Sequence, residues 1–312
     1  MKDIRLVAIA DVNEEKGMEA AKEYQCAYYK DAEEMLQKEK VDFVDICLPT
    51  FLHERFVLLA AQYKKHVICE KPVTLTLESF DKMEEATRKA GVFFMVAQVL
   101  RFWPEYQEVK KLYDAGELGD IKIVYANRLA QHPNWTQWHK DPKNSGGGLF
   151  DLHLHDIDFL QYLFGKVNSV YAVGRASETG CWNYVMSTLR FANGCAATAE
   201  GVFDMTENYP FTMSFRIVGE GEALDYQMTA GFNLEDVGGA KRAIVKYQKG
   251  RQPQKLNIEE KDAYQTELEY FADCVRKGEP PREITPADSR HVLQVILAIQ
   301  ESLETGKVIS IE

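Results

Sequence analysis

The 312-residue sequence has no apolar run near the roughly 20 residues that a membrane-spanning helix needs, and no excess of positive charge. Lys and Arg number 37 against 48 Asp and Glu, a net charge of −11 with His neutral. That balance repels nucleic-acid phosphates and anionic membrane surfaces and excludes a general binder of either. Cysteine is sparse: Cys26, Cys47, Cys69, Cys181, Cys195 and Cys274 are scattered with no C-x-x-C pair. They read as buried thiols in a reducing cytoplasm, not as disulfides or a zinc site. No Walker A loop, no G-x-S-x-G elbow, no internal repeat and no low-complexity linker occurs. Met1-Lys2-Asp3 leads into a strand-like run with no small-residue cleavage site, so the reading is a cytoplasmic protein. What is present is a globular mixture, 46% hydrophobic and 27% charged, long enough for two domains.

Short apolar runs alternate with helical patterns over the first hundred residues. Strands are expected at 4–10, 41–48, 66–69 and 92–96, with helices at 13–25, 31–40, around 52–63 and 77–90. Repeated strand–helix–strand units of this length specify a parallel, doubly wound sheet. After about residue 120 strand-like segments follow one another closely, at 121–130, 167–176, 183–191, 195–204, 210–219 and 241–248. Asn193-Gly194 and Gly219-Glu220-Gly221 read as turns, which makes this sheet mostly antiparallel. One helix at 149–164 interrupts it, and a helix at 286–305 closes the chain before Gly306. The expected organisation is α/β, with a doubly wound domain at 1–100 and a second, mostly antiparallel domain at 101–312.

Several residues stand where chemistry is expected. Asp11 ends a strand, where an acid hydrogen-bonds adenosine ribose hydroxyls and repels a 2′-phosphate; it equally suits a helix N-terminus. Lys71, in Glu70-Lys71-Pro72, ends another strand and could exchange a proton beside a ligand, or be a solvated loop lysine. The densest constellation runs from Gly146-Gly147-Gly148 through Asp151, His153, His155, Asp156 and Asp158. On an α-helix, Asp151, His155 and Asp158 share a face and His153 points elsewhere. A carboxylate and an imidazole one turn apart can orient a hydroxyl and move its proton, while the glycines let backbone approach a ligand. A metal site is the competing reading, but no second His/Asp cluster follows downstream, and the expectation is no metal. Satisfied structural His and Asp are the other alternative. His132, Trp135, Trp138 and His139 form an aromatic–imidazole loop suited to a sugar face or to packing. Arg101 follows the last parallel strand, where it could orient substrate or anchor a hinge.

Together these motifs resemble the Gfo/Idh/MocA family of NAD(P)-dependent oxidoreductases. The resemblance rests on Val7-Ala8-Ile9-Ala10-Asp11, Leu48-Pro49-Thr50 with His53, Glu70-Lys71-Pro72, and Arg101-Phe102-x-Pro104. It continues through Gly116-Glu117-Leu118-Gly119, the glycine triplet, Asp151-x-x-x-His155 and Ile284-Thr285-Pro286 to Gly306-Lys307. It implies a Rossmann domain followed by an α/β domain with a large open, mostly antiparallel sheet, used for homodimer or homotetramer contacts. It also implies Lys71, Asp151 and His155 as the catalytic set, with Asp11, Pro49, Thr50, His53, Glu70 and Lys71 along the cofactor. Arg101, Trp138, Asp151 and His155 are the expected substrate contacts. The family's opening strand, G-x-G-x-x-G turn and first helix have no counterpart here, so the expected Rossmann-type sheet lacks its first β-α unit.

The function expected from this reading is an NAD-dependent oxidoreductase acting on a secondary alcohol of a sugar, inositol or similar polyol. NADP is the less favoured cofactor, because no Arg or Lys directly follows Asp11. Two alternatives stand beside it: NAD-assisted glycoside cleavage at the same site, and a non-catalytic binding protein, since the phosphate-holding turn is absent.

Overall fold

The computed structural model describes residues 4–133, 137–231 and 240–311. The chain folds as two compact units, Met1–Ala97 with Tyr264–Pro286, and Gln98–Ala263 with Ala287–Glu312.

The first unit runs β1 (Ala8–Ala10), α1 (Glu14–Tyr24), β2 (Ala27–Tyr29), α2 (Ala32–Lys38), β3 (Phe43–Ile46), α3 (His53–Gln62), β4 (His66–Glu70), α4 (Leu77–Ala90) and β5 (Phe94–Ala97). Its helices begin where side chains cap them: the side-chain oxygens of Asn13, Asp31 and Thr76 accept from the N–H groups of Lys16, Glu34 and Ser79. Gly91 ends α4 at φ +71°, a conformation that glycine takes without strain. All strand pairs are parallel, but in two pieces, β1-β2 and β3-β4-β5. Among the described residues, β1 and β3 are each paired on one side only. β2 was not expected from the sequence; three residues between two helices are too few to show a period.

The second unit opens with α5 (Pro104–Asp114), β6 (Ile121–Leu129), α6 (Pro142–Ser145), a π-helical turn at Leu149–His153 and α7 (Leu154–Phe164). Then follow β7 (Val167–Ala176), β8 (Trp182–Phe191), β9 (Ala196–Val202), β10 (Thr212–Gly219), β11 (Glu222–Thr229), β12 (Lys241–Gln248) and β13 (Gln254–Lys255). Helix α8 (Ala263–Lys277) returns the chain to the first unit, a segment the sequence reading had kept with the second. Helix α9 (Pro286–Thr305) and β14 (Ile309–Ser310) complete the second unit. Its nine strands lie in the order β13-β12-β11-β10-β6-β9-β8-β7-β14, antiparallel except for the β6–β9 pair. At the β8–β9 turn only Gly194 takes positive φ, at +88°.

Strict alternation along β8 buries Asn183, Val185, Ser187, Leu189 and Phe191 and exposes Tyr184 and Met186. Tyr106 of α5 fills the covered side, with its ring centroid 4.4 Å from Phe159 and 5.3 Å from Phe215. Into this core α7 brings Asp156. The Arg128 Nε and Nη2 groups donate to its two carboxylate oxygens at 3.1 and 3.0 Å, and both side chains are almost fully buried. Burial raises the pKa of Asp156, and the guanidinium opposes that shift.

Removing one member of such a pair leaves an uncompensated charge in the core. Asp156→Ala is therefore expected to lower the unfolding free energy by about 3–5 kcal/mol. Replacing both members with apolar residues of similar volume should cost less. Urea unfolding of the single and double variants checks the order.

Candidate active site

In parallel sheets ligands bind beyond the carboxyl ends of the strands, and three expected residues or loops lie there in the first unit. Asp11 follows β1; one oxygen of its half-buried carboxylate accepts the Asn13 N–H at 2.7 Å, which starts α1. Pro49 precedes a short 3₁₀ turn, Thr50–Leu52, after β3, and Thr50 is buried. Glu70 ends β4, and Lys71 follows it half-buried.

His53 does not lie open along this edge. It is 1% exposed, with Nε2 2.7 Å from the Leu48 carbonyl oxygen and Nδ1 3.1 and 3.2 Å from those of Pro72 and Val73. Burial pulls its pKa below the usual histidine value, against the opposing pull of the carbonyls. The imidazole is thus wedged between the loop after β3 and the loop that carries Lys71, and in its neutral form it donates its one N–H to the carbonyls of one side. This corrects the expected cofactor contact: His53 braces the two loops from within. The thiol reading is also corrected in part. All six cysteines are free, but Cys47 is exposed and Cys26 half-buried.

In the second unit the expected helix at 149–164 is real, but it opens as a π-helical turn. π-Turns inside helices occur frequently at functional sites. From Leu149 to Phe164 every residue is buried except Asp151, His155 and Tyr162. Asp158, expected on the same face as Asp151 and His155, is wholly buried. The Arg101 Nε and Nη2 groups donate to its two oxygens at 3.0 and 2.6 Å, and the guanidinium lies 4.8 Å from the Tyr162 ring centre. Arg101 is itself 4% exposed, so the expected substrate contact is instead a buried anchor of α7.

His153 separates from His155. It is fully buried, with Nε2 2.8 Å from the Ser187 hydroxyl of β8. Its ring lies against Gly201 of β9, where a Cβ would stand 2.7 Å from Nδ1. The glycine triplet likewise serves packing more than ligand approach. A Cβ on Gly147 would come within 2.5 Å of the Cys181 Cβ, and one on Gly148 within 2.6 Å of the Phe203 Cβ. Trp138 is half-buried and stacks on His139 with ring centres 3.7 Å apart; Trp135 lies outside the described residues.

The half-buried chemistry is therefore a carboxylate and an imidazole, with Tyr162, on a largely buried segment of one unit, and two acids and a lysine at strand ends of the other. The comparisons with known proteins agree with this division. Residues 1–98 match the oxidoreductase family's NAD-binding Rossmann fold, and residues 106–225 match the GFO/IDH/MocA C-terminal domain. The scyllo-inositol 2-dehydrogenase (NAD(+)) of Bacillus subtilis is 28% identical over 326 residues, spanning 99% of this chain and 89% of the relative. The D-xylose 1-dehydrogenase (NADP(+)) 2 of Haloferax volcanii is 28% identical over 288 residues, 91% of this chain and 85% of the relative. The crystal structure of aldose-aldose oxidoreductase from Caulobacter crescentus superposes with a TM-score of 0.86 at 23% identity, covering 98% of this chain and 92% of that one. The chain belongs to the Gfo/Idh/MocA family of NAD(P)-binding oxidoreductases. Among the described residues, no helix is long and apolar enough to cross a membrane.

Burial, with the nearby Arg128 charge, pushes the pKa of His153 down to about 3. An unfolded histidine titrates near 6.5, so the neutral His153 supports the fold above that pH and loses its contribution as pH falls toward 3. Between pH 7.5 and 5 this one group should cost the wild type about 2 kcal/mol relative to His153→Gln. Urea titrations of both proteins across that range test it: a constant difference would contradict the assignment.

Proposed function

We propose that this chain is a cytoplasmic, NAD-preferring dehydrogenase of a secondary alcohol on a sugar, inositol or similar polyol. In this reading Asp151, His155 and Lys71 handle the proton. The observation that carries it is the exposure pattern of 149–164, where one carboxylate and one imidazole have access to solvent on a segment whose other acids are spent in ion pairs. The inositol and pentose named for the two relatives support the substrate class.

Oxidation of a secondary alcohol removes a hydride from carbon and a proton from oxygen. A bound nicotinamide dinucleotide supplies the hydride acceptor. The half-buried Asp11 fits its adenosine ribose, because only one carboxylate oxygen is committed to Asn13. A 2′-phosphate there would meet like charge, which favours NAD. Thr50, Glu70 and Lys71 complete the cofactor edge in this reading.

The chain's own task is the proton. In this reading His155 accepts it from the substrate hydroxyl, Asp151 orients the imidazole, and Lys71 is a second proton-handling group. The stacked Trp138–His139 pair offers a flat surface to a sugar ring. It also keeps a second reading in view, glycoside cleavage with the cofactor only transiently reduced.

The open face of the nine-stranded sheet supports self-association as a homodimer or homotetramer. Ile123, Tyr171, Val173, Tyr184 and Met186 are all exposed there, an apolar patch of the kind that marks an interface.

Saturable NADH binding, followed by nicotinamide fluorescence, is the first expected result; its absence would remove the dehydrogenase reading. With scyllo-inositol, myo-inositol and D-xylose as trial substrates, His155→Ala and Lys71→Ala should each lower kcat by about 10²–10⁴-fold. Full turnover in both variants would refute the proton-handling set. Product from a glycoside without stoichiometric NADH would select the cleavage reading. Sedimentation velocity should show a dimer or larger for the wild type, shifted toward monomer in Val173→Lys/Met186→Lys.

A further inference from the structure

A relay of three hydrogen bonds runs from the sheet to the turn that carries Asp151, through residues with no assigned role. The Asp204 carboxylate, just beyond β9, accepts from the His132 Nδ1–H at 2.9 Å and from the Asn183 Nδ2–H at 2.8 Å. Asn183, 2% exposed on β8, accepts the backbone N–H of Gly148 at 2.8 Å through its own side-chain oxygen. Gly148 immediately precedes the π-helical turn Leu149–His153 and has no side chain to cap it. A helix start leaves its first N–H groups without partners inside the helix, so this one is satisfied from a neighbouring strand. Phe203, next to Asp204, seals the same spot: its Cβ leaves no room for a side chain on Gly148, and its ring lies 5.3 Å from that of His132.

The chemistry of the relay has one solution. A side-chain amide offers a donor at one end and an acceptor at the other. Gly148 can only donate, so it requires the Asn183 oxygen. The Asn183 nitrogen then requires an acceptor, and an ionised carboxylate is acceptor on both oxygens. Burial alone would raise the pKa of Asp204, but the hydrogen bonds from His132 and Asn183 outweigh it and hold the group below the usual carboxylate range.

We infer that Asp204 is a positioning residue. Acting through Asn183, it fixes the first turn of the Leu149–Phe164 segment and so the place of Asp151. The inference rests on the reading of Asp151 as a site residue.

An Asp204→Asn side chain can present an amide nitrogen where the carboxylate accepted, which sets donor against donor and frees Asn183 to turn over. Two readouts separate this inference from the dehydrogenase reading. Amide hydrogen exchange of the full chain, followed by NMR, should accelerate at Gly148 and through residues 149–153 by about 10-fold or more in Asp204→Asn. The amides of β10 and β11 should keep wild-type rates. With a substrate that the wild type oxidises, kcat should fall about 10–100-fold, as a misplaced group predicts, while KM changes by less than about threefold. Asn183→Ala breaks the same relay from its other half and should reproduce both effects, and it replaces Asp204→Asn if that variant does not fold. Unchanged exchange at Gly148 overturns the inference, whatever the kinetics. Accelerated exchange with unchanged kcat overturns the positioning of Asp151. If the wild type oxidises nothing among the trial polyols, the dehydrogenase reading fails and exchange alone decides whether Asp204 sets the turn.

Discussion

Helix α7 carries Asp156 and Asp158 into the core of its unit, and each meets a buried arginine there through two hydrogen bonds. A carboxylate taken out of water without a partner costs several kcal/mol, so these pairs are a condition of the helix lying where it does. Their geometry is also directional. Arg128 comes from β6 and fixes the helix against the sheet, while Arg101 comes from a 3₁₀ turn ahead of α5 and fixes it from another side. A helix held at two charged points along one turn can neither rotate nor slide without breaking a fork. On the same segment Asp151 and His155 remain half-buried.

In the first unit a buried imidazole stands between two loops. The loops that leave β3 and β4 carry Pro49, Thr50 and Lys71, and loops of that kind would ordinarily be free to move. His53 sits between them with both ring nitrogens against backbone carbonyls. Backbone oxygens are good anchors because they belong to the path of the chain itself, so bracing them fixes the route on which Lys71 lies. One buried side chain therefore packs between the loops that leave two paired strands.

Much of this was legible in the sequence, and the boundary of legibility has physical reasons. Helices α4 and α9 lie at 77–90 and 286–305 as their apolar stripes and glycine stops specify. Strand β11 was missed although Leu224, Tyr226 and Met228 alternate with polar residues, because Glu222 and Asp225 are poor strand formers. Helix α5 was missed because Arg101-Phe102-x-Pro104 was read as a motif, not as an approach to a helix with Pro104 at its start. At the site, periodicity put Asp151, His155 and Asp158 on one face; the structure leaves Asp151 and His155 half-buried and buries Asp158 wholly. Helix geometry says which residues share a face; it does not say that an arginine 57 positions earlier will cover part of that face. Asn183 and Asp204 gave no signal at all, since their roles exist only once β8 and β9 are side by side.

The two histidines of Leu152-His153-Leu154-His155 show how far residue type underdetermines chemistry. Residues two apart on a helix point in nearly opposite directions, so one of the pair must turn inward if the other faces solvent. His153 turns inward, and the site for it is prepared: a serine hydroxyl on β8 takes Nε2, and a glycine on β9 leaves room for the ring to lie flat. Neutral and buried, it serves as a wedge between the turn and the sheet. His155 stays half-buried, outside the core that holds His153. The same geometry argues against both imidazoles binding one ion, because the divergence that gives His153 its anchor on Ser187 carries it away from His155.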